Sequence, residues 1–217
     1  MTGFADGYLI EFGHFAVFTA LIVTAFQALA PWLATRLRAP ALAHSGTQAS
    51  YIILILLSIG AAALMHAFIT ADFSVLYVAQ HSNTQLPLLY KVTAFWGGHE
   101  GSLFLWAWVL ALFSVALALQ GKKRFPQRLP VLLSVQAWLM LGFLGLILFL
   151  SNPFERLFPA PLQGGDLNPL LQDVALIIHP PMLYMGYVGF SVAFAFAVAA
   201  MLDGNLNQQW ARWTRPW

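Results

Sequence analysis

Hydrophobic residues are concentrated in five long runs, and more polar segments separate these runs along the chain. Each run is close to the roughly 20 residues that a helix needs to cross a bilayer. An open chain in lipid satisfies its backbone polar groups only as a helix. The pattern therefore predicts an all-α integral membrane protein with five transmembrane helices in one region, residues 1–217. The predicted spans are Phe12–Trp32, Tyr51–Ile69, Ser102–Leu119, Leu129–Leu150 and Met182–Leu202.

Composition supports the membrane assignment and excludes two classes of function. Hydrophobic residues make up 60% of the chain and charged residues 8%, whereas about a quarter of the residues in a soluble domain are charged. The basic residues lie in short connectors and form no patch, so no nucleic-acid partner is expected. Cysteine is absent, which excludes disulfides and any thiol chemistry of the chain's own.

The distribution of Lys and Arg predicts the orientation in the membrane. Of the 10 basic residues, all but Lys91 and Arg156 follow the first, third or fifth span. The positive-inside rule then places the N-terminus outside and the C-terminus in the cytoplasm. Two long segments, Thr70–Gly101 and Ser151–Pro181, fall on the outer face. Connections of this length are uncommon and usually functional, so we expect the working face to be the outer one.

The second long segment ends in a histidine followed by two prolines, His179-Pro180-Pro181. Proline disfavours the α conformation in the residue before it, which predicts an extended turn at His179. The two prolines are suited to the start of the fifth helix, where a missing N–H costs nothing. Such a turn would present the imidazole at the membrane surface. Two interpretations remain open: a metal or haem-iron ligand, or an interfacial histidine bonded to a loop carbonyl.

The first long segment ends in WGGHEG, in which Trp96 precedes His99 and Glu100, and Trp106 and Trp108 follow in the third span. Glycines allow close backbone approach. One interpretation is a platform for a large planar ligand, with His99 and Glu100 available for ligation or proton transfer. The other is an aromatic belt at the membrane interface, with Glu100 stabilising the first turn of a helix. The residues alone favour the belt.

Three ionisable residues, Glu11, His14 and His66, lie in or beside the predicted spans. Ionisable groups within a membrane are functional candidates by default. A relay built from these three would make the chain a subunit of a proton-coupled transporter. Hydrogen bonding between helices is the simpler explanation, and a purely structural scaffold is a third alternative.

Two stretches, Ser82–Trp106 and Ser151–Ala197, closely resemble the CcmF family of cytochrome c-type biogenesis proteins, which includes CycK and NrfE proteins. The resemblance runs over nearly the whole chain and is dense from Asp72 onward. It implies a component of a haem lyase that binds haem at the outer membrane face and helps to attach it to apocytochrome c. It also implies a bacterial inner-membrane location with a periplasmic working face.

The resemblance further implies that His179, in the motif HPPMLYMGY, is an axial ligand of haem iron at the outer membrane face, and that the family's cofactor is haem b. Trp96, Trp106 and Trp108 are then candidates for the platform, and His99 and Glu100 for contacts to propionates or protons. The implied partners are a haem-chaperone protein, apocytochrome c with a CxxCH motif, and other cytochrome c maturation subunits. Apocytochrome c would supply the thiols that this chain lacks.

This sequence has no counterpart of the family's second outer histidine, of its tryptophan-rich WWD segment or of its in-membrane haem-b histidines. The terminal stretch Asn205–Trp217 interleaves Trp with Arg, as at a membrane interface, and resembles the family's approach to a sixth span. We therefore expect the N-terminal part of a larger protein, which by itself cannot complete a two-histidine haem site.

Overall fold

The computed structural model describes residues 8–204 and 208–217, and in these residues the regular structure is helical. Five of the helices, α1, α2, α5, α6 and α7, contain segments that are long and apolar enough to cross a membrane. The five predicted spans are thus confirmed, and the chain is a multi-pass membrane protein. The helices are α1 Leu9–Leu37, α2 Pro40–Thr70, α3 Leu76–His81, α4 Leu88–Thr93, α5 His99–Arg124, α6 Leu129–Phe149, α7 Val174–Asp203 and α8 Gln208–Thr214.

The second helix begins well before the predicted start at Tyr51 because the polar residues that precede its apolar run are buried against α1. The Gln27 side-chain amide donates to the Gly46 carbonyl and to the Ser50 hydroxyl, each at 2.7 Å. Polar groups in a membrane must find partners within the protein. With these partners in place, the polar stretch extends the helix instead of forming a connector.

The prediction of an extended turn at His179 is wrong, and so is the prediction that Pro180 and Pro181 begin the fifth helix. All three residues lie inside α7, which begins at Val174. The Asp173 carboxylate caps this helix by accepting from the N–H groups of the second and third helical residues, at 2.8 and 3.3 Å. An N-cap of this kind starts a helix locally. The bias before proline is a preference, and here the capped helix overrides it.

The five long helices form one bundle, in which α1 packs against α2 and α6 while α7 packs against α5 and α6. The outward surfaces carry exposed Leu, Ile and Phe side chains, as expected for helices that contact lipid. The interior is filled by fully buried apolar side chains. They include Leu57, Leu64, Phe68, Phe104, Leu110, Leu144 and Ile147.

The two long connecting segments, residues 71–98 and 150–173, lie at the same end of the bundle and pack against each other. Val75 and Arg156 form an isolated antiparallel bridge. Further along, the Gly165 N–H donates to the Ala79 carbonyl at 2.7 Å. Both predicted long segments therefore belong to one structural unit, which we call the cap.

The opposite end of the bundle carries the terminal segment. Of the predicted interfacial stretch Asn205–Trp217, residues 205–207 lie outside the described residues. The remainder includes α8, where Trp213 packs against Phe125 with ring centroids 5.5 Å apart. The Trp210 indole N–H donates to the Phe196 carbonyl at 2.9 Å. These tryptophans hold α8 against the bundle.

Candidate functional site

The candidate site lies where the cap meets the first turns of α5 and α7, and its WGGHEG turn is built on a buried tyrosine. Tyr77, on α3, is 2% exposed. Its hydroxyl accepts from the Gly98 N–H at 3.0 Å and donates to the Phe95 carbonyl at 3.1 Å. Burial raises the pKa of Tyr77 well above its ordinary value. The hydroxyl therefore stays protonated, so it can donate one hydrogen bond while it accepts another.

The glycines of the turn are required by close packing within the protein. A Cβ atom on Gly98 would lie 2.5 Å from Nε2 of His81, and one on Gly101 would collide with the Phe95 carbonyl oxygen. His81 is itself held on α3, because its Nδ1 shares a hydrogen bond with the Tyr77 carbonyl at 3.0 Å. The expected close backbone approach is confirmed: Gly98 lies against Tyr77 and His81, and Gly101 lies against Phe95.

Trp96 connects the turn to the start of α7. Its indole N–H donates to the Ile177 carbonyl at 3.1 Å. Its own carbonyl accepts from the Ser102 hydroxyl at 2.9 Å, and that hydroxyl accepts from Tyr184, on α7, at 3.0 Å. The turn is thus joined to α7 at two places, at Ile177 through the Trp96 indole and at Tyr184 through the Ser102 hydroxyl.

The three candidate tryptophans do not share one surface. Trp106 faces α7, where its ring centroid is 5.1 Å from that of Tyr184 and 6.5 Å from that of Tyr187, with the Tyr187 ring nearly parallel. Trp108 faces α2, where its indole N–H donates to the Ser58 hydroxyl at 3.0 Å. Trp96 and Trp106 are therefore close to the helix that carries His179, and Trp108 packs between other helices.

His99 and Glu100 occupy the first turn of α5. His99 is exposed, and its Nδ1 shares a hydrogen bond with the Ser151 hydroxyl at 3.1 Å. This bond orients the ring and leaves Nε2 as the nitrogen that can meet a ligand. Glu100 is half-buried, in a position where the helix dipole stabilises a negative charge.

His179 is exposed on the outward side of α7. Ile177, two residues earlier, is 4% exposed. Residues two apart in a helix are separated by about 200° around its axis. Because Ile177 faces the interior, the imidazole of His179 projects away from the bundle. Its ring makes no hydrogen bond to any other residue in the described part of the chain.

Below His179 an exposed stripe continues along α7. Met182 and Leu183, one turn on, are 64% and 45% exposed. Gly186 follows on the next turn, with open space where a side chain would be. We call His179, Met182, Leu183 and Gly186 the α7 stripe. The predicted start of the fifth helix at Met182 hid this stripe. In a helix that begins upstream of His179, the spacing of three, four and seven residues indicates a shared face.

The candidate relay residues also lie at the cap end of the bundle. Arg156 pairs in bidentate fashion with Glu11, at 2.8 and 3.0 Å, and these hydrogen bonds raise the pKa of Arg156. His14 lies 3.4 Å from the Asn152 side-chain amide, and His66 lines a cavity of about 710 Å³. A relay has to cross about 30 Å of hydrocarbon. Three groups near one end of the bundle provide no such path.

Within the residues that the structure describes, no group of three or more His, Asp or Glu side chains is placed to hold a metal ion. A conventional metal site built from several protein ligands is therefore not formed by these residues. Haem differs in this respect, because the porphyrin supplies four of the iron ligands and leaves only axial positions to protein side chains.

Comparison with known proteins identifies close relatives. A family model described as cytochrome C assembly protein matches residues 96–217. The cytochrome c-type biogenesis protein CycK of Rhizobium meliloti is 47% identical over 96% of this chain and 31% of its own length. The protein CcmF of Haemophilus influenzae is 47% identical over 96% of this chain and 32% of its own. The CcmF of Escherichia coli K12 is 54% identical over 71% of this chain and 24% of its own.

A solved structure described as cytochrome c heme lyase CcmF shares the fold. It aligns with a TM-score of 0.79 at 24% identity and covers 95% of this chain and 33% of that chain. The chain thus spans about a third of the length of the first two relatives and of the solved protein.

Proposed function

Because this chain belongs to the cytochrome c assembly family, we propose that it acts in cytochrome c maturation as a component of a haem lyase. In this proposal haem is bound at the cap end of the bundle and is attached there to apocytochrome c. The names of the relatives support this function, since each is a cytochrome c-type biogenesis protein.

The main observation behind the proposal is the exposed His179 on an exposed, largely apolar stripe. Neutral imidazole is a common axial ligand of haem iron, and this imidazole is not engaged by the rest of the described chain. Met182 and Leu183 offer apolar surface to a porphyrin. Gly186, on the next turn towards the C-terminus, has no side chain that would obstruct its approach. These residues fit a haem, which we propose to be haem b, with His179 as one axial ligand.

The other candidates receive different roles according to where they lie. Trp106, stacked on Tyr187, provides aromatic surface beside the α7 stripe. Trp108, bonded to α2, supports the platform from within the bundle. We assign Nε2 of His99 to a propionate contact. Glu100 is assigned to a proton contact, because its carboxylate would repel a propionate of the same charge.

The chain contributes positioning to the reaction. In this proposal each of two thiols from the CxxCH motif of apocytochrome c would add across one haem vinyl group. The sulfur would bond to one vinyl carbon and the thiol hydrogen would pass to the other, so no group leaves. This chain contains no cysteine, which agrees with thiols that come from the substrate. A haem face held beside a docked peptide turns a bimolecular step into an effectively unimolecular one.

We place the cap on the periplasmic side of a bacterial inner membrane. The support is the distribution of the 10 Lys and Arg residues, read with the positive-inside rule. A haem-chaperone protein would deliver haem to this face, where apocytochrome c and other maturation subunits would assemble. The transporter alternative is not supported, because the relatives are cytochrome c biogenesis proteins and Glu11, His14 and His66 lie near one end of the bundle.

The proposal is tested by His179→Ala in the full-length protein, with His44→Ala as the matched control. His44 is an exposed histidine on α2 at the opposite end of the bundle. We expect His179→Ala to lower the Soret absorbance per molecule and to stop cytochrome c production, while the control keeps both. Added imidazole should partly restore function. If His179→Ala leaves both readouts unchanged, the ligand assignment is wrong.

A further inference from the structure

The second proline of the HPP motif leaves a carbonyl group in α7 without its helical donor. In an α-helix each carbonyl accepts from the N–H four residues later, and proline has no N–H. The Ile177 carbonyl would normally accept from residue 181, which is Pro181. The Trp96 indole N–H donates to this same carbonyl at 3.1 Å. Trp96 thus occupies the position that Pro181 leaves open.

Trp96 is well suited to act as a fixed donor because its own backbone is held on both sides. Its carbonyl accepts from Ser102, and the residues that flank its turn, Phe95 and Gly98, both bond to the Tyr77 hydroxyl. A donor on a mobile loop would lose conformational freedom on bonding. Here the freedom is already removed by α3 and by the start of α5.

A helix that lacks consecutive internal hydrogen bonds bends at that point. Pro180 and Pro181 remove the bonds to the carbonyls of Leu176 and Ile177, so the first turns of α7 need another restraint to keep one direction. His179 lies within this weakened stretch, two residues after the bonded carbonyl. The imidazole projects from the opposite side of the helix. Trp96 therefore acts on His179 through the backbone, without contact between the two rings.

We propose that Trp96 is a positioning residue for His179, whose indole N–H replaces the helical hydrogen bond that Pro181 removes and so fixes the direction of the histidine. This role rests on the proposed haem function. It also explains why the WGGHEG and HPP motifs meet in the fold. The first motif supplies an indole N–H donor, and the second leaves a carbonyl that needs one. With any other residue at position 181, the helix could satisfy the Ile177 carbonyl itself.

This dependence is tested with a double-mutant cycle in the full-length protein, using Trp96→Phe and Pro181→Ala. Phenylalanine keeps an aromatic ring and loses the N–H, and alanine restores an N–H to the helix. Titration with haem should show that Trp96→Phe weakens binding about threefold to tenfold, as expected for one lost hydrogen bond. The electron paramagnetic resonance signal of the ferric haem should broaden, because the histidine adopts more than one direction. In the Pro181→Ala background, the same Trp96→Phe change should alter binding by less than about twofold.

The matched control is Trp210→Phe, which also removes one indole hydrogen bond to a carbonyl of α7, that of Phe196, but at the end of the bundle opposite the cap. It should leave haem binding and the haem signal unchanged in both backgrounds. If Trp96→Phe fails to accumulate, Pro181→Ala should restore its accumulation and its haem binding. A Trp96→Phe effect of equal size in both backgrounds would overturn the proposal, as would equal effects of Trp96→Phe and Trp210→Phe.

The outcomes also separate this proposal from the proposed function. Loss of haem binding in His179→Ala together with normal binding in Trp96→Phe would refute only the positioning role. Unchanged binding in His179→Ala would refute the assignment of His179 as the haem ligand, the part of the proposed function on which the positioning role rests.

Discussion

Replacing Tyr77 with phenylalanine isolates the hydroxyl on which the WGGHEG turn is built. The ring remains and keeps its edge-to-face contact with Phe68, at 5.4 Å between centroids, and its packing against His81, at 4.6 Å. What disappears is one acceptor for the Gly98 N–H and one donor to the Phe95 carbonyl. The variant therefore changes hydrogen bonding with little change in packing.

The expected cost follows from the burial of the two groups that lose their partner. A buried polar group left unsatisfied costs about 1–3 kcal/mol. Phe95 is buried, while Gly98 is half-buried and can recruit water in part. We therefore expect a destabilisation of about 2 kcal/mol. For a chain of this size, 1 kcal/mol lowers Tm by about 2–4 °C, so the variant should melt about 4–8 °C below the parent protein.

Thermal unfolding in detergent, followed by tryptophan fluorescence, measures this difference. The matched control is Tyr187→Phe, since Tyr187 is 67% exposed and its hydroxyl makes no hydrogen bond in the described part of the chain. The free energy of unfolding of the control should lie within about 0.5 kcal/mol of that of the parent protein. If Tyr77→Phe and Tyr187→Phe melt at the same temperature, the hydroxyl does not support the turn.

Three further predictions concern the orientation, the anchoring of the cap and the packing of the turn. A reporter active only outside the cytoplasm should be active when fused after Asp166 and silent after Lys123, and the reverse pattern would refute the orientation. Glu11→Gln breaks an exposed ion pair, so it should destabilise by at most about 1 kcal/mol, and high salt should shrink the difference; a loss of several kcal/mol would contradict this. Gly98→Ala should destabilise the turn through collision with His81, and His81→Ala should partly restore its melting temperature. Equal melting of the single and double variants would refute the packing argument.

The five spans could be predicted because a bilayer imposes one length on every helix that crosses it. The start of α6 at Leu129 agrees with the prediction, and its end at Phe149 lies one residue before the predicted end. The starts of α2 and α7 were missed for opposite reasons. In α2, the polar stretch before the apolar run predicts a connector, but Gln27 of α1 donates to the Gly46 carbonyl and to the Ser50 hydroxyl within it. In α7, the two prolines predict that the helix begins after His179, but the Asp173 cap starts the helix six residues before His179.

The candidate residues could be selected from motifs, but their relative placement could not. The contact between Trp96 and Ile177 joins residues 81 positions apart, and no local pattern specifies such a pair. The direction of His179 depends on whether the residue lies in a helix, and the predicted extended turn was wrong on this point. Once the helix is known, proline itself indicates that the carbonyl four residues earlier needs a donor from elsewhere, because buried backbone groups are rarely left unpaired.

The measurement that tests the central claim most directly is the haem spectrum of His179→Gly in the full-length protein, with and without added imidazole. Glycine would remove the proposed ligand and leave space for free imidazole to take its place. Resonance Raman spectroscopy with ¹⁴N- and ¹⁵N-imidazole would report the iron–nitrogen stretch of the replaced ligand. We predict that the histidine-ligated spectrum is lost in His179→Gly, returns with imidazole, and shows an isotope shift. An unaltered spectrum in His179→Gly without imidazole would contradict the assignment of His179 as the haem ligand.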